Sequence, residues 1–443
     1  MRRVLAVDLG ASALRVASVD LDGRPPAVQV VHRHPHAPVR ASDGTLRWDW
    51  DRLVAEAVRG LELALADGPA DSIGVDTWGV DYGLLDGSGT LVAPPFSYRD
   101  QRASTWHQTA ARLGQERLYA ITGIQLMPIN TVFQLAVHDR SELDGAATLL
   151  MLPELLVHAL TGAVTGERTS AGTSALVDIA TGDWSGELVD AVDVDRSLLP
   201  PIMRAGTAVG QWRGISVHLV GGHDTASAVA ALPAADPSGT AFVSSGTWML
   251  VGAERLLPDV SEAAREANFS NEPGVLGGVR FLKNVMGLWM MQQCLAAWGD
   301  PPLEPLLAAA ERAGGGGPVV DATDERFLAP SDMPAEVRRA AGLPDDVERA
   351  VIVRCVLASL AAATARVVDE LEGFLDSPVR RIHVMGGGAR NTLLNRLIAE
   401  AAARPVTVGA TEATALGNAL VQGIAIGAYA DLPAARAALA ADR

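Results

Sequence analysis

Four stretches of this sequence put small residues or a carboxylate at the end of a strand-like run, where chemistry can be done. After the apolar residues 4–7 comes Asp8-Leu9-Gly10-Ala11-Ser12-Ala13. Backbone N–H groups reach an anion only where side chains are small, so Gly10, Ala11, Ser12 and Ala13 could hold a phosphate. Gly246-Thr247, behind Ser244-Ser245, is a second turn of the same kind. Both are equally the tips of ordinary hairpins. Gly386-Gly387-Gly388 follows the run 382–385 and precedes a helix that Asn391 can cap. Three successive glycines let a ligand lie against bare backbone. The fourth stretch is Gly221-Gly222-His223-Asp224-Thr225-Ala226-Ser227. Asp224 stands at a strand-to-helix junction, where a carboxylate either caps the helix or takes a proton from a hydroxyl.

Two more aspartates, Asp8 and Asp76, each follow an apolar strand and precede a turn. Either could hold Mg²⁺ through water, because that ion keeps its waters and needs one or two carboxylates. An Asx turn is the other reading. His32, His34 and His36 alternate with Arg33 and Pro35. That spacing describes the polar face of a strand, with no carboxylate or thiol nearby to complete a metal site.

Composition narrows the chemistry. Lys+Arg total 36 against Asp+Glu 52, a net charge of −16. Sequence-independent nucleic-acid binding needs basic surface to displace counterions, so a chain this acidic is a poor candidate for it. Lys283 is the only lysine and is followed by Asn284. A Walker A loop requires Gly-Lys-Ser/Thr and a protein kinase an early strand lysine, so ATP would be held by another architecture. Cys294 and Cys355 sit in apolar runs outside any CxxC. They read as core thiols in a reducing, cytoplasmic setting. The N-terminal run is broken early by Asp8 and Gly10, unlike a signal peptide. No uninterrupted apolar stretch is long enough to span a membrane.

With 443 residues, 49% apolar and 20% charged, the chain is globular and long enough for two or three domains. Residues 4–20 and 239–254 both read strand, small turn, strand, a faint duplication. Residues 72–86 repeat the pattern. Helices are expected over 149–160, 224–232, 284–298, 351–374 and 391–403. In the 351–374 segment Leu357, Leu360, Ala361, Thr364, Val367, Val368 and Leu371 keep the helical period. In the 284–298 segment Val285, Leu288, Trp289 and Gln292 share a face, which leaves Gln292 in need of a partner. Strands alternating with helices give an α/β class. The domain boundary falls near 233–239, dividing the chain into 1–232 and 233–443. The glycine run 313–318 is expected to be a surface loop.

The ordered set VDLGAS, DSIGVDTWGVD, YRDQR, HDTASAV, SSGTW, LKNVMGLW and VMGGGARNTLLN resembles the FGGY carbohydrate kinases. The similarity runs from Val4 to about Gly427. It implies two ribonuclease-H-like α/β domains of the actin and sugar-kinase superfamily, with an interdomain active-site cleft. It further implies transfer of the γ-phosphoryl group of ATP, with Mg²⁺, to a sugar. The motif set is most similar to the branch acting on L-rhamnulose; xylulose or fuculose is the alternative acceptor. By the same resemblance Asp224 is the catalytic base. Gly79, His223, Asp224, Thr225 and Asn284 bind the sugar, within a first domain for the sugar and a second for the nucleotide. Ala11, Ser12, Ala13, Leu14, Arg15, Thr247, Gln292 and Gly387 contact ATP, and Asp8 helps to hold Mg²⁺. No partner beyond sugar and ATP is implied, neither nucleic acid nor membrane, and the patterns are silent on oligomeric state. A non-catalytic sensor on the same fold would not need Asp224 together with both turns and Gly387. There are two departures from the family pattern. Leu14 stands where glycine is usual, and the chain ends soon after its last motif. Leu14 either sits in ordinary β geometry or distorts the turn.

Overall fold

The computed structural model describes residues 2–233, 239–314 and 317–439. Much of the expected boundary segment, and two glycines of the 313–318 run, lie outside these residues. Contacts divide the chain into two compact units. The first comprises 1–235, 254–281 and 413–443; the second comprises 236–253 and 282–412. Two segments beyond the boundary read from the sequence therefore belong with the first unit.

Each unit is built on a sheet. The strands are β1 (Arg3–Gly10), β2 (Ala13–Asp20), β3 (Ala27–Pro35), β4 (Ser72–Thr77), β5 (Ala208–Trp212) and β6 (Ile215–His223). They continue as β7 (Thr240–Ser245), β8 (Trp248–Arg255), β9 (Ser270–Pro273), β10 (Val279–Met286), β11 (Arg381–Met385) and β12 (Val406–Val408). The first sheet has the order β5-β6-β4-β1-β2-β3, the second β9-β10-β8-β7-β11-β12. In each, an antiparallel hairpin (β1–β2, β7–β8) carries a parallel strand on its first member (β4, β11). The duplication faintly legible in the turns is thus a duplication of topology.

Both faces of the first sheet are covered. Gly60, on the helix Trp50–Ala66, lies so close to Val16 that a Cβ would stand 2.4 Å from its Cγ2. On another side of the same strands, Ala415 of the helix Ala413–Ala425 packs on Ala6 and Ala17, and Ala419 on Val4 and Val19. Burial on both faces is why β1 reads as a continuous apolar run.

In the second unit the helix Arg349–Glu372 buries the whole expected stripe from Leu357 to Leu371. It is long and apolar enough to cross a bilayer by length and composition, which the sequence reading did not anticipate, but 72% of its apolar window is buried within the protein. Lys283 on β10 pairs with Glu370 of this helix.

Three expectations need correcting. The segment 149–160 opens as a strand, Thr148–Met151, and becomes helical only over Leu152–Thr161. Pro153 then stands in the first turn, where its missing N–H costs nothing. Asn284 and Val285 lie on β10, and helix begins only at Trp289 (Trp289–Ala297). That helix buries Met290, Met291 and Cys294, so the proposed stripe ending in Gln292 does not exist and Gln292 is half-buried. Asp8 and Asp76 sit inside strands, not at their turns.

Leu14 is an ordinary strand residue. It pairs with Leu9 and His34, is 0% exposed, and no residue from Gly10 to Leu14 takes a positive φ. The hairpin closes through Ala11 and Ser12 without needing glycine at position 14. Leu14→Gly should therefore cost about 3–5 kcal/mol in thermal or denaturant melts, from the lost packing and the added chain entropy. The KM for ATP should change by less than about twofold, since a strand position contributes no side chain to the turn's amides. A glycine variant binding ATP several-fold tighter would show instead that leucine distorts the turn.

Candidate active site

The register of the first sheet assembles a row of charges. Asp8 on β1 faces Arg15 across the antiparallel pair and Asp76 across the parallel one. Arg15 Nε lies 3.2 Å from Asp8 Oδ2. On the next strand His223 pairs with Thr77, so Asp224 follows immediately beyond the sheet edge. Asp76 is fully buried, and the Asn418 amide donates to its Oδ2 at 2.6 Å. Its other oxygen is buried without a partner. Burial, then the negative charge of Asp8, with a further push from Asp224, raises the Asp76 carboxyl well above the usual range. With Asp76 resisting ionisation, the carboxylates of Asp8 and Asp224 against one guanidinium still leave one negative charge, which suits a hard cation. Asp8 fits that role as an oxygen donor at the Arg15 end of the row. Among the described residues no group of three or more His, Cys, Asp or Glu stands at metal-binding spacing.

Asp224 does not cap its helix. It is the first residue of Asp224–Ala230, and the N-cap position is His223. Its carboxylate instead accepts the Thr225 hydroxyl at 3.1 Å and stands 3.5 Å from His223 Nε2. The acid is about a quarter exposed (27%) and so remains open to a reactant. The short helix behind it is fixed at both ends. Ser227 Oγ donates to the Gly221 carbonyl at 2.8 Å, and Arg436 donates to the carbonyls of Val229 and Ala230. Gly417 allows the helix Ala413–Ala425 to come against it, for a Cβ there would meet the Ser227 carbonyl at 1.7 Å.

The sequence reading missed what orients His223. Glu272 Oε2 lies 3.1 Å from its Nδ1, and Arg280 Nη1 lies 3.0 Å from the same carboxylate. Arg280 Nη2 donates to Nδ1 at 3.3 Å, so Nδ1 accepts and the ring proton falls on Nε2, which faces Asp224. Burial alone would raise Glu272, but Arg280 and His223 together hold it below the usual carboxylate range. A cation within the apolar run Val279-Arg280-Phe281-Leu282 was the available signal; Glu272 offered none. Both residues come from the 254–281 segment. That segment is tied to the first unit by Tyr119 donating to the Phe269 carbonyl at 2.7 Å and by Asn271 bonding Gly123.

Gly79 packs under Thr173, where a Cβ would meet the threonine at 2.9 Å. Val80 beside it takes φ +68°, a strained conformation for a β-branched residue. Thr173 accepts its N–H, and Thr131 and Gln134 donate to its carbonyl. Asp81, also missed, receives both indole N–H groups of Trp48 and Trp78, and burial raises it to about 6. The first turn is buttressed by His36, whose amide donates to the Ser12 carbonyl and whose Nε2 donates to that of Gly10. Burial lowers His36 to about 4, so the ring is neutral at pH 7. His32 and His34 point instead to Glu56 on the helix Trp50–Ala66, a carboxylate the sequence did not suggest.

The second unit holds Thr247, Asn284, Gln292 and Gly387. The Gly246 and Thr247 carbonyls accept the amides of Leu288 and Trp289, which binds this turn to the start of the next helix. Gly287 permits the contact, because a Cβ there would come within 2.5 Å of the Trp248 backbone. Asn284 and Gln292 are half-buried. In the glycine triplet the three residues separate cleanly. Gly386 has φ +83°, and a Cβ on Gly388 would stand 1.9 Å from Ser245 Oγ. Gly387 is exposed, its φ is not positive, and a Cβ would meet nothing within 4 Å. Backbone geometry explains two of the glycines and leaves Gly387 unexplained. Asn391 caps the following helix, as expected.

Comparison with known proteins agrees with this architecture. Residues 3–232 match the N-terminal domain of the FGGY family of carbohydrate kinases and 241–426 its C-terminal domain. The chain belongs to that family. It is 40% identical over 437 residues to a rhamnulokinase of Klebsiella pneumoniae, covering 95% of this chain and 89% of the relative. It is 36% identical over 454 residues to one of Enterococcus faecalis, covering 98% and 92%. Among solved structures, a ligand-bound xylulose kinase from Lactobacillus acidophilus superposes with a TM-score of 0.81 at 16% identity, covering 100% of this chain and 93% of the other. A glycerol kinase from Plasmodium falciparum, solved with ADP, gives 0.76 at 16% over 100% and 93%. These structures share the two-domain FGGY kinase fold.

Removing Glu272 should strand the buried Arg280 charge. Glu272→Gln is expected to destabilise the protein by about 3–5 kcal/mol, and Glu272→Gln with Arg280→Met to recover much of that. Urea melts of the single and double variants check it; equal losses in both would show that the pair carries no charge balance.

Proposed function

We propose that this carbohydrate kinase transfers the γ-phosphoryl group of ATP to L-rhamnulose, giving L-rhamnulose 1-phosphate and ADP. The observation that carries the reading is the extent of its likeness to rhamnulokinases, 40% identity over 95% of the chain. Kinases for other acceptors share the fold at 16%. The uncapped, partly exposed carboxylate at the end of β6 supports the same chemistry.

In this reading Asp224 accepts the proton of the 1-hydroxyl as its oxygen attacks the γ-phosphorus, and ADP leaves. His223, held by Arg280 beside Glu272 with Nε2 forward, binds the acceptor together with Gly79, Thr225 and Asn284. Main-chain amides of residues 11–13 and of the Gly246-Thr247 turn hold the phosphates, with Arg15 and Gln292 beside the nucleotide and Gly387 giving it bare backbone, while Leu14, buried in its strand, takes no part. Mg²⁺, when bound, would neutralise charge on the transferring group, and Asp8 would hold it, helped by the surplus of carboxylates along its row. The base, His223, Thr225 and Gly79 fall in the first unit together with the 11–13 turn, and Thr247, Gln292 and Gly387 for the nucleotide, with Asn284, in the second. The two buried, free thiols suit a cytoplasmic setting.

A coupled ADP-release assay over a panel of ketoses tests the acceptor. The kcat/KM for L-rhamnulose should exceed that for D-xylulose and glycerol; a preference for xylulose would overturn the acceptor and leave the family intact. Asp224→Asn should lower kcat at least ~10²-fold while sugar binding survives. Because the carboxylate caps nothing, its Tm should move by no more than about 3 °C. A variant keeping most of its kcat would remove Asp224 as the base. Gly387→Val, placed where a side chain has room, should fold normally and raise the KM for ATP far more than that for the sugar. No change in either would take Gly387 out of the nucleotide site.

A further inference from the structure

Behind Asp224 lie two buried acids that the reaction above does not use. Glu167 Oε2 accepts four hydrogen bonds: from the Thr169 hydroxyl at 2.5 Å, the Thr169 amide at 2.8 Å, the Gly222 amide at 3.0 Å and the Ser170 amide at 3.2 Å. Two of these cap the one-turn helix Arg168–Ala171. The bond from Gly222, on β6, is not part of that cap. The Thr169 hydroxyl, while donating to Glu167, accepts the His223 amide at 3.2 Å. Two successive main-chain amides just before Asp224 are therefore tied, directly or through one hydroxyl, to Glu167. Beneath it, Glu154 Oε1 accepts the Ser170 hydroxyl at 2.6 Å and the Glu167 amide at 3.0 Å. A Cβ on Gly222 would stand 3.1 Å from Glu167 Oε2 and 3.3 Å from Glu154 Oε1, so both acids crowd the same point of β6.

We propose that Glu154 and Glu167 are positioning residues for Asp224, with Glu167 ionised and Glu154 holding a proton. Together they fix the end of β6 where the base must stand. The proposal rests on Asp224 being that base. Four donors on one oxygen suit a carboxylate, which is worth most when its hydrogen bonds are charge-assisted. A second charge beside it, with no cation in contact, would go uncompensated in the interior, so Glu154 is the one that stays neutral. Burial raises both carboxyls, but at Glu167 the bonds from Thr169, Gly222 and Ser170 oppose it, whereas Glu154, with the adjacent Glu167 charge adding to its burial, goes up to about 8.

The other charged groups around the pair leave this assignment in place. Arg280 on β10 feels the Glu167 charge, while its own contacts are with Glu272, His223 Nδ1 and the Pro273 carbonyl. Arg168 lies against Gly182, and His223 and Asp224 face each other beyond the end of β6. On Glu154's own helix His158 turns its ring nitrogens to the carbonyls of Ala163 and Gly89.

The sign of the pH dependence follows. A carboxyl with an ordinary value of 4.5 that is raised to about 8 in the folded protein favours folding fully below 4.5. That contribution is lost progressively as pH rises toward 8 and is flat beyond it. Activity should instead fall as the proton leaves the folded protein, around pH 8.

The experiment compares wild type, Glu154→Gln, Glu154→Ala and Thr169→Val by melts from pH 5 to 9 and by kcat for L-rhamnulose over the same range. Glu154→Gln, which imitates the protonated acid, should flatten the decline of Tm between pH 5 and 8 and remove the alkaline fall in kcat. Glu154→Ala should lower kcat roughly tenfold at pH 7 with the KM for ATP unchanged, as expected when a reacting group is displaced. Thr169→Val, which frees the His223 amide, should act on kcat in the same way. An unaltered alkaline limb and Tm slope in Glu154→Gln would overturn the proposal, as would a Thr169→Val enzyme with full kcat if Glu154→Gln failed to fold. The melts need no substrate, so an error in the acceptor or in the base would leave that arm intact.

Discussion

Parallel pairing of β1 with β4 sets two aspartates side by side in the middle of a sheet buried on both faces, and much of the first unit compensates for that juxtaposition. Asp8 meets Arg15 across the hairpin. Asp76 receives the Asn418 amide from a helix near the end of the chain, with the Arg15 charge acting on it from farther off. Two carboxylates so close in low dielectric cannot both keep their charge. The sheet therefore holds one acid that resists ionisation and another paired with arginine, with a third, Asp224, standing at the rim of the same row. A parallel register shifted by one residue would turn Asp76 to the opposite face from Asp8.

Small residues let the helices come close enough to serve this row. Gly74 on β4 lies against Asn418 and Gln422, where a Cβ would meet Asn418 Oδ1 at 2.5 Å. Gly417, one residue before Asn418, admits the Asp224 helix to the same surface. The helix Ala413–Ala425 thereby supports Asp76 with one residue and the base's helix with the next. Alanine at either glycine would force the elements apart, and the cost would fall on the geometry of the carboxylates.

Much of this was legible in the residues because local patterns report local structure. The hairpin turns, the stripe on Arg349–Glu372, the Asn391 cap and the strand end before Asp224 all follow from period and turn chemistry. What escaped needed long-range pairing. Nothing in Ser270-Asn271-Glu272-Pro273 announces that Glu272 will meet His223 some fifty residues away. Nor does a helix reading of Asn284 anticipate that β10 continues through it, because an apolar run of mixed residues fits either element until its sheet partners are known. The glycine triplet is instructive in another way. The sequence gives three equal glycines, and only the packing against Ser245 separates the one that must be small for the backbone from the one left open.

The Lys283–Glu370 ion pair has a consequence for how the molecule can be handled. Apart from the α-amino group, the chain has one primary amine, and its side chain is only 12% exposed within that pair. Every other side-chain cation except histidine is a guanidinium, which amine-directed reagents leave alone and which stays charged far into the alkaline range. Reagents that coat most proteins at random would here find a single internal target, on β10 next to Asn284. Attachment of a dye or a surface linker through that amine would be stoichiometric, and its rate would follow the opening of one salt bridge in the second unit.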